Sequence, residues 1–194
     1  MVPFDLPEYQ GEAFVSLDLS GAALSGREFS HCEFRDCNFS GADLSGTEFD
    51  DCSFAACNLS NPAIEGTKLM GAAFSGCKLM GINFYRCGQL AFDFSFEACV
   101  MRNCNFSELK MKRARFLRCE IAECDFQDAY LVEASFEGSV FRDCLFHNSD
   151  LEKASFRAAH GYSIDPRTNK LRKAIFSPPD VLSLLSGFDI RIED

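Results

Sequence analysis

From Glu33 to Leu59 a large apolar residue returns at every fifth position, in the units EFRDC, NFSGA, DLSGT, EFDDC, SFAAC and NL. A small Cys, Ala or Thr sits two residues before each large one. A period of five belongs neither to an α-helix nor to a plain strand. Side chains two apart lie on one face of a short extended segment, so the chain must turn a corner before the next unit begins. Large apolar residues continue from Phe14 to Phe84 at this spacing, and a second train, displaced by two residues, runs from Phe96 to Phe156. An internal repeat of this extent decides the architecture before any local propensity does.

The number of units in one turn is also written in the chain. Phe14, Phe34, Phe54 and Phe74 are twenty residues apart, and so are Phe96, Phe116, Phe136 and Phe156. Like residues stack if four units close one square turn. About 4.8 Å per turn then gives a rod on the order of 35 to 40 Å long. Phe34, Phe54, Phe74, Phe116 and Phe136 are the expected interior column, each burying roughly 1.5 to 3 kcal/mol of side chain. Between Tyr85 and Ser95 the register breaks: twelve residues separate Phe84 from Phe96, Gln89 stands in a centre slot, and Leu90, Phe92 and Phe94 compete for the interior. A local kink and a partner-contacting projection both fit this bulge.

All eleven cysteines occupy the small slot, exchanging there with alanine. That usage makes them small hydrophobes. Pairs such as Cys32/Cys37 and Cys119/Cys124 have C-x4-C spacing rather than the C-x2-C of tetrahedral zinc, so no metal site is expected. His31, His147 and His160 stand apart, and no catalytic set or phosphate loop emerges. We therefore expect no enzymatic activity and no cofactor.

Residues 1–12 read as a lead-in and residues 13–159 as the repeat, with residues 160–194 as a capping and dimerisation segment. In the last, Ser177-Pro178-Pro179-Asp180 signals a helix start and Gly187 a stop, predicting a short helix over Pro178 to Ser186. Phe188, Ile190 and Ile192 alternate with polar residues as a short strand would. The apolar Val181, Leu182, Leu184, Leu185 and Phe188 either cap the rod's own end or join two copies, the dimer being favoured because one helix leaves apolar area uncovered. The chain shows no 18-residue apolar run and no basic-plus-apolar leader, so neither membrane span nor signal peptide is expected and the cytoplasm is the expected compartment.

Charge is unevenly distributed over the 194 residues. Residues 1–100 carry 14 acids against 5 basic residues, whereas residues 101–194 carry 15 against 14. The acidity over Glu12 to Glu65 amounts to roughly one net charge per 1.6 Å of rod, close to the one per about 1.7 Å of duplex DNA. Glu28, Glu48, Asp50 and Asp51 are expected on one face with Glu33 and Asp36 round the next corner, and Asp43 belongs to the same acidic stretch. Such a surface serves either ordinary solubility or occupation of a DNA-binding groove. The basic run Lys110, Lys112, Arg113, Arg115 and Arg118 reads as a solvated band balanced by Glu108, Glu120 and Glu123, or as a phosphate contact.

The units Ala42-Asp43-Leu44-Ser45-Gly46 and Cys57-Asn58-Leu59-Ser60-Asn61 resemble the pentapeptide-repeat family, and the likeness extends over roughly residues 12 to 159. The resemblance implies an all-β, right-handed quadrilateral parallel β-helix with four repeats per coil and a short C-terminal helix or strand cap. Gly11-Glu12-Ala13-Phe14, the segment from Cys77 to Phe84 and the stretch from Leu171 to Ser177 look like the topoisomerase-poison resistance group, which includes quinolone-resistance (Qnr) and albicidin-resistance proteins. That likeness implies a dimeric DNA mimic that binds DNA gyrase or topoisomerase IV through its acidic surface and does not itself bind nucleic acid. The long loop insertions of the Qnr pattern are absent here, which leaves the poison open. A protein-interaction scaffold with an unrelated partner is the alternative.

Overall fold

In the computed structural model, residue 4, residues 6–88 and 93–188, and residues 190, 191 and 193 are described. The chain winds as a right-handed parallel β-helix of about eight turns with four sides. Three-residue strands are joined by corners, and each strand pairs in parallel with the one a full coil away, as in Phe34↔Phe54 and Phe54↔Phe74. Backbone groups are satisfied from coil to coil: Phe39 N–H donates to Asn58 O at 2.8 Å, and Leu44 N–H to Ala63 O at 2.8 Å. Satisfaction between coils rather than within one explains why such short strands persist.

Four inward columns fill the rod, and we number the faces by them. On the first face Phe14, Phe34, Phe54, Phe74, Phe96, Phe116, Phe136, Phe156 and Phe176 stack with ring centroids 4.8 to 5.1 Å apart. The expected column is therefore present and buried, and it runs one coil further than the periodicity indicated. The second face carries Leu59, Leu79, Met101, Ile121 and Phe141 inward, with five strands in register. Phe84, Phe106, Phe126 and Phe146 stack on the third face. The fourth begins with Tyr9, Phe29 and Phe49 and continues with Leu69, Met111, Leu131 and Leu151.

The stack outruns the 13–159 span at both ends. Glu8–Gln10 pairs with Glu28–Ser30 and places Tyr9 on Phe29, while Phe4 closes the end against Tyr9, Phe14 and Phe29. At the other end Ile175–Phe176 pairs with Ser155–Phe156. The five-residue count itself reaches both, Tyr9 standing five residues before Phe14 and Phe176 twenty after Phe156, although Gly161 and Pro166 interrupt the large apolar train on the way to Phe176.

The break between the two trains is a register shift between Asp93 and Ser95, after which the coil offset is 22 rather than 20 for that one turn, as in Phe74↔Phe96 and Leu79↔Met101. Phe94 gains the interior, buried against Phe84 and Phe96. Gln89, Leu90 and Phe92 lie outside the described residues.

Every cysteine is buried with a free thiol. The small slot asks for more than small size. Cys52 Sγ donates to Phe29 O at 3.2 Å, and where the slot holds a hydroxyl the same contact is stronger, as in Thr67 Oγ1 to Leu44 O at 2.7 Å and Ser149 Oγ to Phe126 O at 2.7 Å. The slot rewards a small group with a donor because it faces a carbonyl of the preceding coil. Burial pushes the Cys52 and Cys87 thiols up to about 12, which keeps them protonated and unreactive.

The C-terminal segment departs from expectation. Asp180–Phe188 is a 3₁₀ helix that runs through Gly187 instead of stopping there, and its start moves from the expected Pro178 to Asp180. Ser177 Oγ is engaged elsewhere, accepting from Ala158 N–H at 3.1 Å. Ile190, Arg191 and Glu193 are not in a strand, and Ile192 lies outside the described residues.

Candidate functional site

With the core columns turned inward, function rests on the outward positions that flank each centre. The fourth face carries Glu28 and Glu48 on consecutive strands, with Ser30 beside Asp50. Asp51 stands at the following corner with φ 49°, its carboxylate filling the space that a Cβ at Gly71 would take. Any side chain at Gly71, one coil above, would have to displace that carboxylate, whereas the positive φ of this corner is also adopted by His31 and Asp51.

The remaining predicted acids lie on other sides. Glu33 belongs to the first face and Asp36 to its closing corner, with φ 53°. Asp43 is on the third face, bridging Ala23 and Ala63. The structure therefore brings Glu28, Glu48, Asp50 and Asp51 together as expected, while the whole set surrounds three sides of the rod. Part of the charge is neutralised: Glu48 pairs with Lys68, Glu33 with Arg35, and Asp51 faces His31 at 3.9 Å. Hydrogen bonds from Ser45 hold the Asp43 carboxyl below the usual carboxylate range.

The basic run is balanced differently from its sequence neighbourhood. Arg113 pairs with Glu133 at 2.7 Å, Glu133 also meets Lys153 at 3.7 Å, and Arg118 pairs with Glu97. Glu108, Glu120 and Glu123 make none of these contacts, because a charge on this fold meets the residue about twenty positions away sooner than its near neighbours. Lys68 and Glu133 were missed as site residues for that reason, and the twenty-residue offset is the signal that finds them.

At the C-terminal end, Asp180 accepts from Gly161 N–H at 2.9 Å and faces His160 Nδ1 at 2.8 Å, fastening the 3₁₀ helix to the last coil. The five apolar residues predicted there divide. Leu184 packs against the core, Val181 and Leu185 are half-buried, and Leu182 and Phe188 are exposed at 49% and 46%. Arg167 lies over the Phe188 ring at 5.4 Å. Intramolecular capping and residual exposed apolar surface thus coexist on one short helix. No group of His, Cys, Asp or Glu among the described residues has the disposition of a metal site.

Family models for the pentapeptide repeat region match residues 27–94 and 47–126, and one for pentapeptide repeats matches residues 119–157. The chain belongs to the pentapeptide-repeat family. No curated protein matches it in sequence. Among solved structures it is similar to QnrB1, a plasmid-mediated fluoroquinolone resistance protein, at 19% identity and TM-score 0.55 over 96% of this chain and 90% of that one. It is also similar to HetL, a pentapeptide repeat protein involved in heterocyst differentiation regulation from the cyanobacterium Nostoc, at 14% identity and TM-score 0.58 over 88% and 85%. Identities this low speak for the fold alone, and that fold serves typically as a structural or interaction scaffold.

Proposed function

We propose that this pentapeptide-repeat protein is a non-enzymatic DNA mimic, acting in the cytoplasm, that binds a type II topoisomerase such as DNA gyrase and protects it from a poison. The observation that carries the reading is the stacking of Glu28, Glu48, Asp50 and Asp51 at the rung spacing of the rod, with Glu33, Asp36 and Asp43 on adjoining sides. A surrogate for a cylinder of phosphate needs negative charge on more than one side. The pairing of Glu48 and Glu33 with cations lowers the density that sequence alone indicates, and for this reason a scaffold with an unrelated protein partner remains the second reading.

The protein acts in this proposal as a two-fold dimer through the C-terminal helix. Leu182 and Phe188 supply the exposed surface, with Val181 and Leu185 at its edge, whereas Leu184 serves the intramolecular cap. Leu182→Asp is accordingly a sharper test than a change at Leu185. Sedimentation of the wild type as a monomer at micromolar concentration removes the dimer from the proposal.

Gyrase supercoiling titrated with the protein, with and without poisons, tests the function. Replacing Glu28, Glu48, Asp50 and Asp51 by lysine should weaken binding at least tenfold and flatten its salt dependence, since complementary charge is a screened, long-range attraction. Glu137→Lys, on the exposed first face of the near-neutral half, is the control and should do less. Equal gyrase affinities for wild type and the fourfold variant leave the scaffold reading.

A further inference from the structure

The fourth face changes sign along the rod. Beyond the acidic rungs, one outward column runs Lys110, Tyr130, Asp150, Lys170, each bridged to the next. The second column of the face carries Lys112, Val132, Glu152 and Arg172, and the corner beside it Arg113, Glu133, Lys153 and Lys173, stacked by coil-to-coil hydrogen bonds. Seven cations thus meet Glu133, Asp150 and Glu152 on one side of a chain whose net charge is −10. Lys110, Lys112, Arg172 and Lys173, and Arg115 just round the corner, have no carboxylate within ion-pair distance among the described residues, whereas Arg113, Lys153 and Lys170 do. The opposite corner carries Glu108 and Asp128, so the positive surface is centred on the Arg113–Lys173 edge.

Apart from Lys153, which meets Glu133, and with Arg115 added, these cations form two clusters, Lys110, Lys112, Arg113 and Arg115 on one coil and Lys170, Arg172 and Lys173 three coils on, about 14 Å apart along the rod. That separation suits the two phosphate backbones bordering a major groove about 12 Å wide, with exposed Tyr130 between them. The acids Glu48, Asp50 and Asp51 sit three rungs below the first cluster, about 14 Å away and beyond the Debye length of about 8 Å, so the acidic end does not cancel the patch.

We propose that the C-terminal half of the fourth face binds the phosphate backbone of duplex DNA, the rod lying across the major groove with one cationic cluster on each strand. This reverses the expectation, implied by the resemblance to DNA-mimicking proteins, that the protein makes no direct nucleic-acid contact. A DNA surrogate at one end and a DNA contact at the other would let one rod touch both components of a protein–DNA complex. The site does not depend on the topoisomerase reading, and its test contains no topoisomerase.

Fluorescence anisotropy with a fluorescent 20-base-pair duplex at 50 and 200 mM KCl reads it directly. Neutralising about five phosphates predicts that affinity falls roughly 10² to 10³-fold between these salts. The variant Lys110→Glu, Lys112→Glu, Arg172→Glu, Lys173→Glu should lose at least tenfold in affinity at 50 mM, with circular dichroism and melting unchanged. Lysine substitutions at Glu28 and Glu48 should leave DNA binding intact or raise it. No binding by the wild type at 50 mM, or equal affinities of wild type and the basic-patch variant, overturns the proposal. Salt-sensitive self-association that the same variant abolishes, without DNA binding, also overturns it and assigns the patch to a second copy.

Discussion

The first and fourth faces of the rod share strand geometry and hydrogen bonding yet differ in what varies along them. Nine phenylalanines repeat without interruption inside the first face, whereas the fourth passes from Tyr9, Phe29 and Phe49 to Leu and Met within and from acid to base outside. One face holds the register constant and the other is thereby free to change. The change is also visible in packing: where the fourth column drops from Phe49 to Leu69, an apolar void of about 20 Å³ opens among Leu44, Leu59, Ile64 and Leu69.

The largest break in this comparison should come from the first face. Phe116→Ala, at 0% exposure with rings stacked above and below, is expected to cost about 3 to 5 kcal/mol in urea unfolding. A cost below about 1 kcal/mol would show that the column does not set the register. Leu69→Phe should act in the opposite sense, continuing the Tyr9–Phe29–Phe49 stack into the void and gaining about 0.5 to 1.5 kcal/mol. A lower melting temperature would mean that the void is too narrow for the ring.

Outward charges on the fourth face should matter less for folding than for partners. Lys112→Glu is expected to shift stability by no more than about 0.5 kcal/mol, a bound that thermal melting can check. The smallest effect is the titration of Glu133. The Arg113 hydrogen bond holds its carboxyl below the usual value, with Lys112 and Lys153 adding to it. A depressed folded value means that the contribution is present above the ordinary glutamate range near 4.5 and is lost as pH falls through the lowered one. Carboxyl NMR should show Glu133 titrating below the ordinary glutamate value near 4.5, and Arg113→Ala should move it back towards that value.

The five-residue period, the twenty-residue stacking, the Phe column and the small-residue slot were all legible in the sequence, because each coil meets only its neighbours and so local repetition becomes tertiary contact directly. The same regularity places Glu28 beside Glu48 by counting alone. Three things needed the folded chain. The first was that the segments at Tyr9 and Phe176, though in step with the count, pair as strands with the neighbouring coil, and the second was the C-terminal helix, which is 3₁₀ and held by Asp180 on Gly161 and His160, partners about twenty residues away. Charge balance was the third: Glu48 with Lys68, Glu133 with Arg113 and Lys153, and the gathering of Lys110 with Lys170 arise from stacking across coils, and electrostatic energy follows distance in space rather than position along the chain.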